Sequence, residues 1–342
     1  MRRSLPRPSR RLIAAGAAAA ALAAGGAFAA QRHWTRRWRA GDDALAEAGL
    51  RMVDELVHHD VATSDGGVIH AVELGQGRPI VLVHGVTLSD AVWVRQFAAL
   101  AGRHRVIAID QRGHGPSVAG DDGYSFDRLA QDVLDVLEAL DVRNAVLVGH
   151  SMGGMVSLTA ALAEPDRMAE HVAGLVLVGT TAGPVTGVPL WPVVTDRMAA
   201  LTGRSLASAG RKGRGLFPGE DLASWSTRMA FGSRPTALDL ELTRSLTSAM
   251  SPTAMADLLV SLVGFDLRAR LGEIRLPTRI VVGSRDLLLP PFHARRMAAG
   301  IPHAVLEVLP GCGHMVMLER PDELNDLLHR FSVSLERGTG AA

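Results

Sequence analysis

The sequence predicts an α/β protein, with a mostly parallel central sheet flanked by helices and an inserted helical cap. Three observations carry that expectation. Short continuous Val/Ile/Leu runs recur along the chain and end at glycine or a polar turn, as parallel strands covered on both faces do. Amphipathic helical segments lie between them, and strand–helix alternation builds a parallel sheet. One interval between successive runs is far longer than a simple crossover requires, which marks an insertion.

The elements follow in order. VIHAVEL (68–74) alternates and reads as an early, antiparallel strand. PIVLVHG (79–85), RVIAIDQRG (105–113), AVLVGHS (145–151), GLVLVGT (174–180), RIVVGSRD (279–286) and AVLEVLP (304–310) are the continuous runs. Between them, FDRLAQDVLDVLEAL (126–140) places Leu129, Val133, Val136, Leu137 and Leu140 on one helical stripe. The long interval holds PLWPVVTDRMAALTG, EDLASWSTRMAF, PTALDLELTRSLTSAM and SPTAMADLLVSLVGF, which read as four short helices broken by Gly, Pro and Ser. The expected organisation is therefore a core of residues 61–183 and 266–335, a cap at 184–265, and a linker or short helix at 41–60. No repeat or heptad array is present.

The 342 residues are 47% apolar and 21% charged, as suits a globular chain with a large core. Net charge is +1, but nine Arg and no acid fall in residues 1–40. The remainder carries 27 basic and 35 acidic side chains, a balance of −8 that gives no support to nucleic-acid binding. Cys312 is the only cysteine, so no intrachain disulfide can form.

The N-terminal segment predicts export or membrane anchoring rather than a cytoplasmic protein. Residues 12–30 are 19 uncharged residues, 12 of them Ala, behind Ser9-Arg10-Arg11 and ending near the small-residue triplet Ala27-Phe28-Ala29. That is the layout of an export signal and resembles the twin-arginine type. The run is also just long enough to span a bilayer. RHWTRRWR follows it, with Trp34 and Trp38 placed as interfacial anchors.

Sites in open parallel sheets form at the carboxyl ends of strands, and four strand ends here carry residues suited to one reaction. GHSMGG (149–154) places Ser151 between a strand and a helix, with Gly149 and Gly153 allowing the close, strained turn that exposes a nucleophilic hydroxyl. His314, in the glycine-flanked loop GCGHM after the last strand, is the candidate base. Asp286, at the end of RIVVGSRD, is the candidate acid that fixes the imidazole tautomer. The backbone N–H groups of Val86, after His84-Gly85, and of Met152 are the candidate oxyanion donors. The chain order Ser, Asp, His fits this geometry. No P-loop, dinucleotide fingerprint or metal-ligand spacing occurs, so no cofactor is expected, and the adjacent His58-His59 reads as solvated.

These residues, together with the His84-Gly85 pair, DQRGHGPS (110–117) and GCGHMVMLERPDE (311–323), resemble the α/β-hydrolase superfamily over about residues 61–335. The resemblance implies Ser151 as nucleophile, His314 as base and Asp286 as acid, with Val86 and Met152 as oxyanion donors. It makes Asp110, Arg112 and Gly113 structural. His150 and Trp93 are either pocket-lining or packed behind the site. Serine in place of an aspartate nucleophile argues against epoxide or haloalkane hydrolysis, and HGV in place of three glycines argues against the hormone-sensitive-lipase branch. The reaction expected is ester hydrolysis through an acyl-enzyme on a small molecule. Met198, Met229 and Met255 in the cap suggest an apolar acyl group. The same triad would serve a C–C bond hydrolase, an acyltransferase or a perhydrolase, and a non-catalytic binding protein could keep the fold.

Overall fold

The computed structural model describes residues 55–185, 227–262 and 264–339. Among them, eight strands form one sheet: β1 (Val57–Ala62), β2 (Val68–Leu74), β3 (Pro79–Val83), β4 (Arg105–Ile109), β5 (Ala145–His150), β6 (Val172–Val178), β7 (Thr278–Gly283) and β8 (Val305–Leu309). Their spatial order is β1-β2-β4-β3-β5-β6-β7-β8. Strands β3 to β8 pair in parallel, while β2 is antiparallel to both β4 and β1. The chain leaves β3 for β4 on one side and returns with β5 on the other. A crevice therefore opens at the carboxyl ends of β3 and β5, the topological switch point where α/β sheets bind ligands.

Side-chain alternation along the strands sorts the core into two layers. Val81, Val83, Ile107, Ile109 and Leu147 share a cluster with residues of α2 (Phe126–Ala139), α3 (Met152–Ala163), α4 (Pro165–His171) and α7 (Pro291–Gly300). Ile80, Leu82, Val106, Val146 and Val148 face α1 (Val94–Leu100) and α9 (Pro321–Thr339). The predicted stripe on α2 is buried at Leu129, Val133, Val136 and Leu137, and the Ser125 hydroxyl caps its start by accepting from the Arg128 N–H. Arg112 is fully buried and bridges the β1–β2 turn to α2, through Asp65 at 2.9 Å and Asp132 at 2.6 Å.

The expectation of a linker or helix at 41–60 is corrected at its end, because residues 57–60 lie in β1. The reason is position. β1 is a sheet edge on which Val61 is the sole buried residue, so VHHDVA shows no apolar pattern to read. His58 on this strand is exposed, and His59 bonds Glu73 at 3.1 Å. Of the expected cap, α5 (Ala237–Ala249) and α6 (Pro252–Leu262) are present. Thr236 and Asp239 form a capping box at the start of α5. The Leu267 N–H donates to the Ala182 oxygen at 2.7 Å, so the chain leaves and rejoins the core at adjacent points. Residues 186–226, which hold most of the first two helix-like pieces, and the N-terminal segment 1–40 lie outside the described residues, as do residues 41–54. Among the described residues no helix is long and apolar enough to cross a membrane.

Candidate active site

Ser151 sits between β5 and α3 with φ 52° and ψ −118°. A non-glycine residue takes this left-handed region only under strain. Strand and helix hold it there through close approach. A Cβ on Gly149 would lie 2.5 Å from the Gly153 oxygen, and one on Gly153 would lie 2.2 Å from the Val83 oxygen. Gly154 has the same basis, since a Cβ there would meet Thr180 Cγ2 at 2.6 Å. The Thr180 hydroxyl donates to the Ser151 carbonyl at 2.6 Å, and the Ser151 N–H donates to Val178 at 3.0 Å. The turn is thus tied to the end of β6 on both sides of the serine.

His314 and Asp286 meet at the same sheet edge. His314 Nδ1–H donates to Asp286 Oδ2 at 2.8 Å, and both side chains are buried. Asp286 Oδ1 accepts from the N–H groups of Leu288 and Leu289. The pair lies against Gly179, just past β6, where a Cβ would be 3.3 Å from His314 Nδ1. His150 joins the two halves of the site. It precedes Ser151, its ring centroid is 4.7 Å from that of His314, and its Nε2–H donates to the His314 carbonyl at 3.1 Å. Burial holds the His150 imidazole neutral, well below its ordinary titration range. Trp93 and His150 are both buried and meet edge to face, so both pack behind the site.

The backbone groups converge as well. Gly85 brings the loop after β3 against the serine: its Cβ, if present, would be 3.0 Å from Ser151 Cβ. Among the described residues, no hydrogen bond occupies the N–H of Val86 or of Met152. Both donors are open, one after β3 and one at the first turn of α3.

Three contributors were not read from the sequence. Thr180 anchors Ser151 as described. His114 accepts the Thr87 N–H at 3.2 Å beside Val86. Glu319, at the end of α8 (Val316–Glu319), accepts from the Gly313 and Gly232 N–H groups at 2.8 Å each. The His314 N–H donates to the Ala230 carbonyl at 2.7 Å, so the histidine loop is stitched to the part of the cap insertion just ahead of α5. Burial raises the Glu319 carboxyl above its ordinary range, even with those two donors. The faint signal for Glu319 was an acid closing the apolar run MVML, and for His114 a histidine inside a glycine-rich loop. Among the described residues no group of three or more His, Cys, Asp or Glu side chains is arranged to hold a metal ion.

A mostly parallel sheet with an insertion after β6, and a strained serine turn and histidine–carboxylate pair at its carboxyl edge, defines an α/β hydrolase. The chain belongs to the alpha/beta hydrolase fold family, whose model matches residues 78–321. It is 28% identical over 290 residues to the AB hydrolase superfamily protein YisY of Bacillus subtilis, covering 81% of this chain and 99% of the relative. Two solved structures share the fold. A thermophilic esterase from Thermogutta terrifontis superposes with TM-score 0.69 at 25% identity, covering 82% of this chain and 98% of that one. The esterase RhEst1 from a Rhodococcus species superposes with TM-score 0.67 at 27% identity, covering 81% and 99%.

Proposed function

We propose that this hydrolase cleaves carboxylic ester bonds of small molecules through an acyl-enzyme. Ser151 Oγ attacks the ester carbonyl, and His314 Nε2 accepts the hydroxyl proton. Asp286 keeps the remaining ring proton on Nδ1 and stabilises the imidazolium. The Val86 and Met152 N–H groups stabilise the oxyanion of the tetrahedral intermediate. His314 then protonates the leaving alcohol and activates the water that releases the acid. The observation that carries this reading is the 2.8 Å bond between His314 and Asp286, with His150 linking that pair to the serine turn. The esterases among its structural relatives support the same bond class. Val86 packs against an apolar cluster that includes Met250, Ala254, Met255 and Leu258 from the insertion, in keeping with an apolar acyl group. The uncharged N-terminal run with its Arg and Trp flank supports export or attachment to the cell envelope.

The test is hydrolysis of p-nitrophenyl acetate and butyrate by the wild type and Ser151→Ala, with labelling by a fluorophosphonate. Wild-type turnover, covalent labelling and loss of both in the variant are expected. Undiminished turnover by Ser151→Ala would overturn the assignment.

A further inference from the structure

The DQRGH stretch after β4 carries the buried polar side chains of Gln111 and His114. It is laced to the segment that follows β3. The Gln111 N–H donates to His84 Nε2 at 3.1 Å, and the Gln111 side-chain amide donates to the His84 carbonyl at 2.5 Å. His84 Nε2 is therefore an acceptor, so its proton sits on Nδ1, which donates to the Gly85 carbonyl at 2.7 Å. One residue past Val86, the Thr87 N–H donates to His114 Nε2 at 3.2 Å. The other nitrogen of His114 faces the Gln111 and Arg112 carbonyls at 3.3 and 3.2 Å. Those two oxygens can only accept, which places the His114 proton on Nδ1 and leaves Nε2 free to accept. Both imidazoles are buried, and burial keeps both neutral.

Val86 is thus held on both sides, by His84 on the carbonyl of the peptide before it and by His114 on the N–H of the peptide after it. Thr87 needs the restraint, since it is β-branched yet adopts φ 69°, a left-handed conformation that such residues rarely take. Its hydroxyl also lies 3.2 Å from that of Thr247 on α5. A Thr87 that relaxed toward ordinary φ would turn the Val86–Thr87 peptide and, through the Val86 torsions, shift the preceding Gly85–Val86 peptide that carries the Val86 N–H.

We propose that His114 is a positioning residue for the oxyanion donor at Val86, acting through the Thr87 backbone. This rests on the reading of Ser151 as nucleophile and Val86 N–H as oxyanion donor. The hydrogen bonds of His114 go to the Thr87 N–H and to its own loop, so it acts through backbone and not on the reacting atoms. It fixes the direction of a donor whose value lies in being aimed at the transition state. A Gln at this position can still offer an oxygen where Nε2 lies. A Leu cannot accept, and an Asn amide ends near the position of Nδ1 and falls short.

The experiment is p-nitrophenyl acetate hydrolysis by wild type, Ser151→Ala, His114→Gln, His114→Asn and His114→Leu, each checked by thermal melting. His114→Leu and His114→Asn are expected to lose about tenfold to a hundredfold in kcat, part of the cost of deleting an oxyanion donor. KM should stay within about twofold, because the missing interaction belongs to the transition state. His114→Gln is expected to keep most of kcat. A folded His114→Leu with wild-type kcat would overturn the proposal, as would His114→Gln falling as far as His114→Asn. The Gln and Asn pair decides the matter if the Leu variant does not fold. Turnover that survives Ser151→Ala would instead strike the underlying assignment, and is read separately from the His114 series.

Discussion

Asp286 holds His314 with one carboxylate oxygen and its own loop with the other. Oδ2 accepts the His314 Nδ1–H at 2.8 Å, and Oδ1 accepts the Leu288 and Leu289 N–H groups at 2.9 and 2.8 Å. The two tasks separate in Asp286→Asn. The amide oxygen can keep the loop bonds, which turns the NH2 toward Nδ1 and forces the imidazole proton onto Nε2. That tautomer cannot take the proton of Ser151. The expected result is a kcat loss of about 10³- to 10⁴-fold with a near-normal melting temperature. Steady-state hydrolysis of p-nitrophenyl butyrate, with a thermal melt of the same sample, checks it.

Gly154 is the second point where sequence and geometry meet. A methyl group there would sit 2.6 to 2.7 Å from three Thr180 atoms, including Cβ, so rotation of the threonine side chain alone cannot make room. Gly154→Ala must push α3 away from the end of β6. Overpacking of this kind costs about 1–3 kcal/mol. The displacement also strains the Thr180 hydroxyl bond to the Ser151 carbonyl. Urea unfolding should register the destabilisation, and kcat should fall with it. A variant with wild-type midpoint and rate would mean that the helix shifts freely.

Ser151, His314, Asp286 and the Val86 loop were legible because each follows a Val/Ile-rich strand. The strand pattern alone puts them on one edge. β1 was illegible for the opposite reason: an edge strand with one buried residue has no apolar period. Thr180, His114 and Glu319 were missed because each acts on backbone N–H or carbonyl groups. Backbone atoms have no sequence signature, so which loop a side chain will meet emerges once the strand order is known. His150 was placed near the site by its neighbour Ser151, yet its bond to the His314 carbonyl spans 164 residues of chain.

Asp110 predicts a pH-dependent stability. Burial, with the Asp90 carboxylate nearby, raises its carboxyl to about 7. His84 lies 3.5 Å away, but its Nε2 accepts from Gln111 and the ring is neutral, so the contact is no ion pair. The folded pKa exceeds the unfolded value, so the folded state binds the proton more tightly. The contribution is complete below about pH 4 and is lost as pH rises through about 7. Asp110→Asn removes this titration. Between pH 5 and pH 8 the wild type should lose on the order of 2–3 kcal/mol relative to the variant, allowing for partial relaxation of the site. Parallel urea titrations at the two pH values measure the difference. Equal pH slopes would show that Asp110 is ionised across the range.

Glu319 carries the last prediction, because it joins the histidine loop to the insertion. Its two oxygens accept one N–H from Gly313, next to His314, and one from Gly232, within the insertion just ahead of α5. Those amides cannot pair with each other, since both are donors, so removing the carboxylate leaves them facing an empty site. Glu319→Ala is expected to cost about 1–3 kcal/mol, the usual penalty for a buried donor without a partner. It should also lower kcat severalfold, because the loop that sets the His314 backbone loses one of its ties while the bond from His314 N–H to Ala230 remains. Glu319→Gln keeps one acceptor and turns its NH2 toward the other amide, so it should fall between wild type and Ala in both measurements. That ordering separates hydrogen bonding from mere loss of side-chain volume, since Gln fills the same space as Glu. If Gln matched wild type in stability and rate while Ala fell, volume would be the cause and the two N–H bonds would count for little.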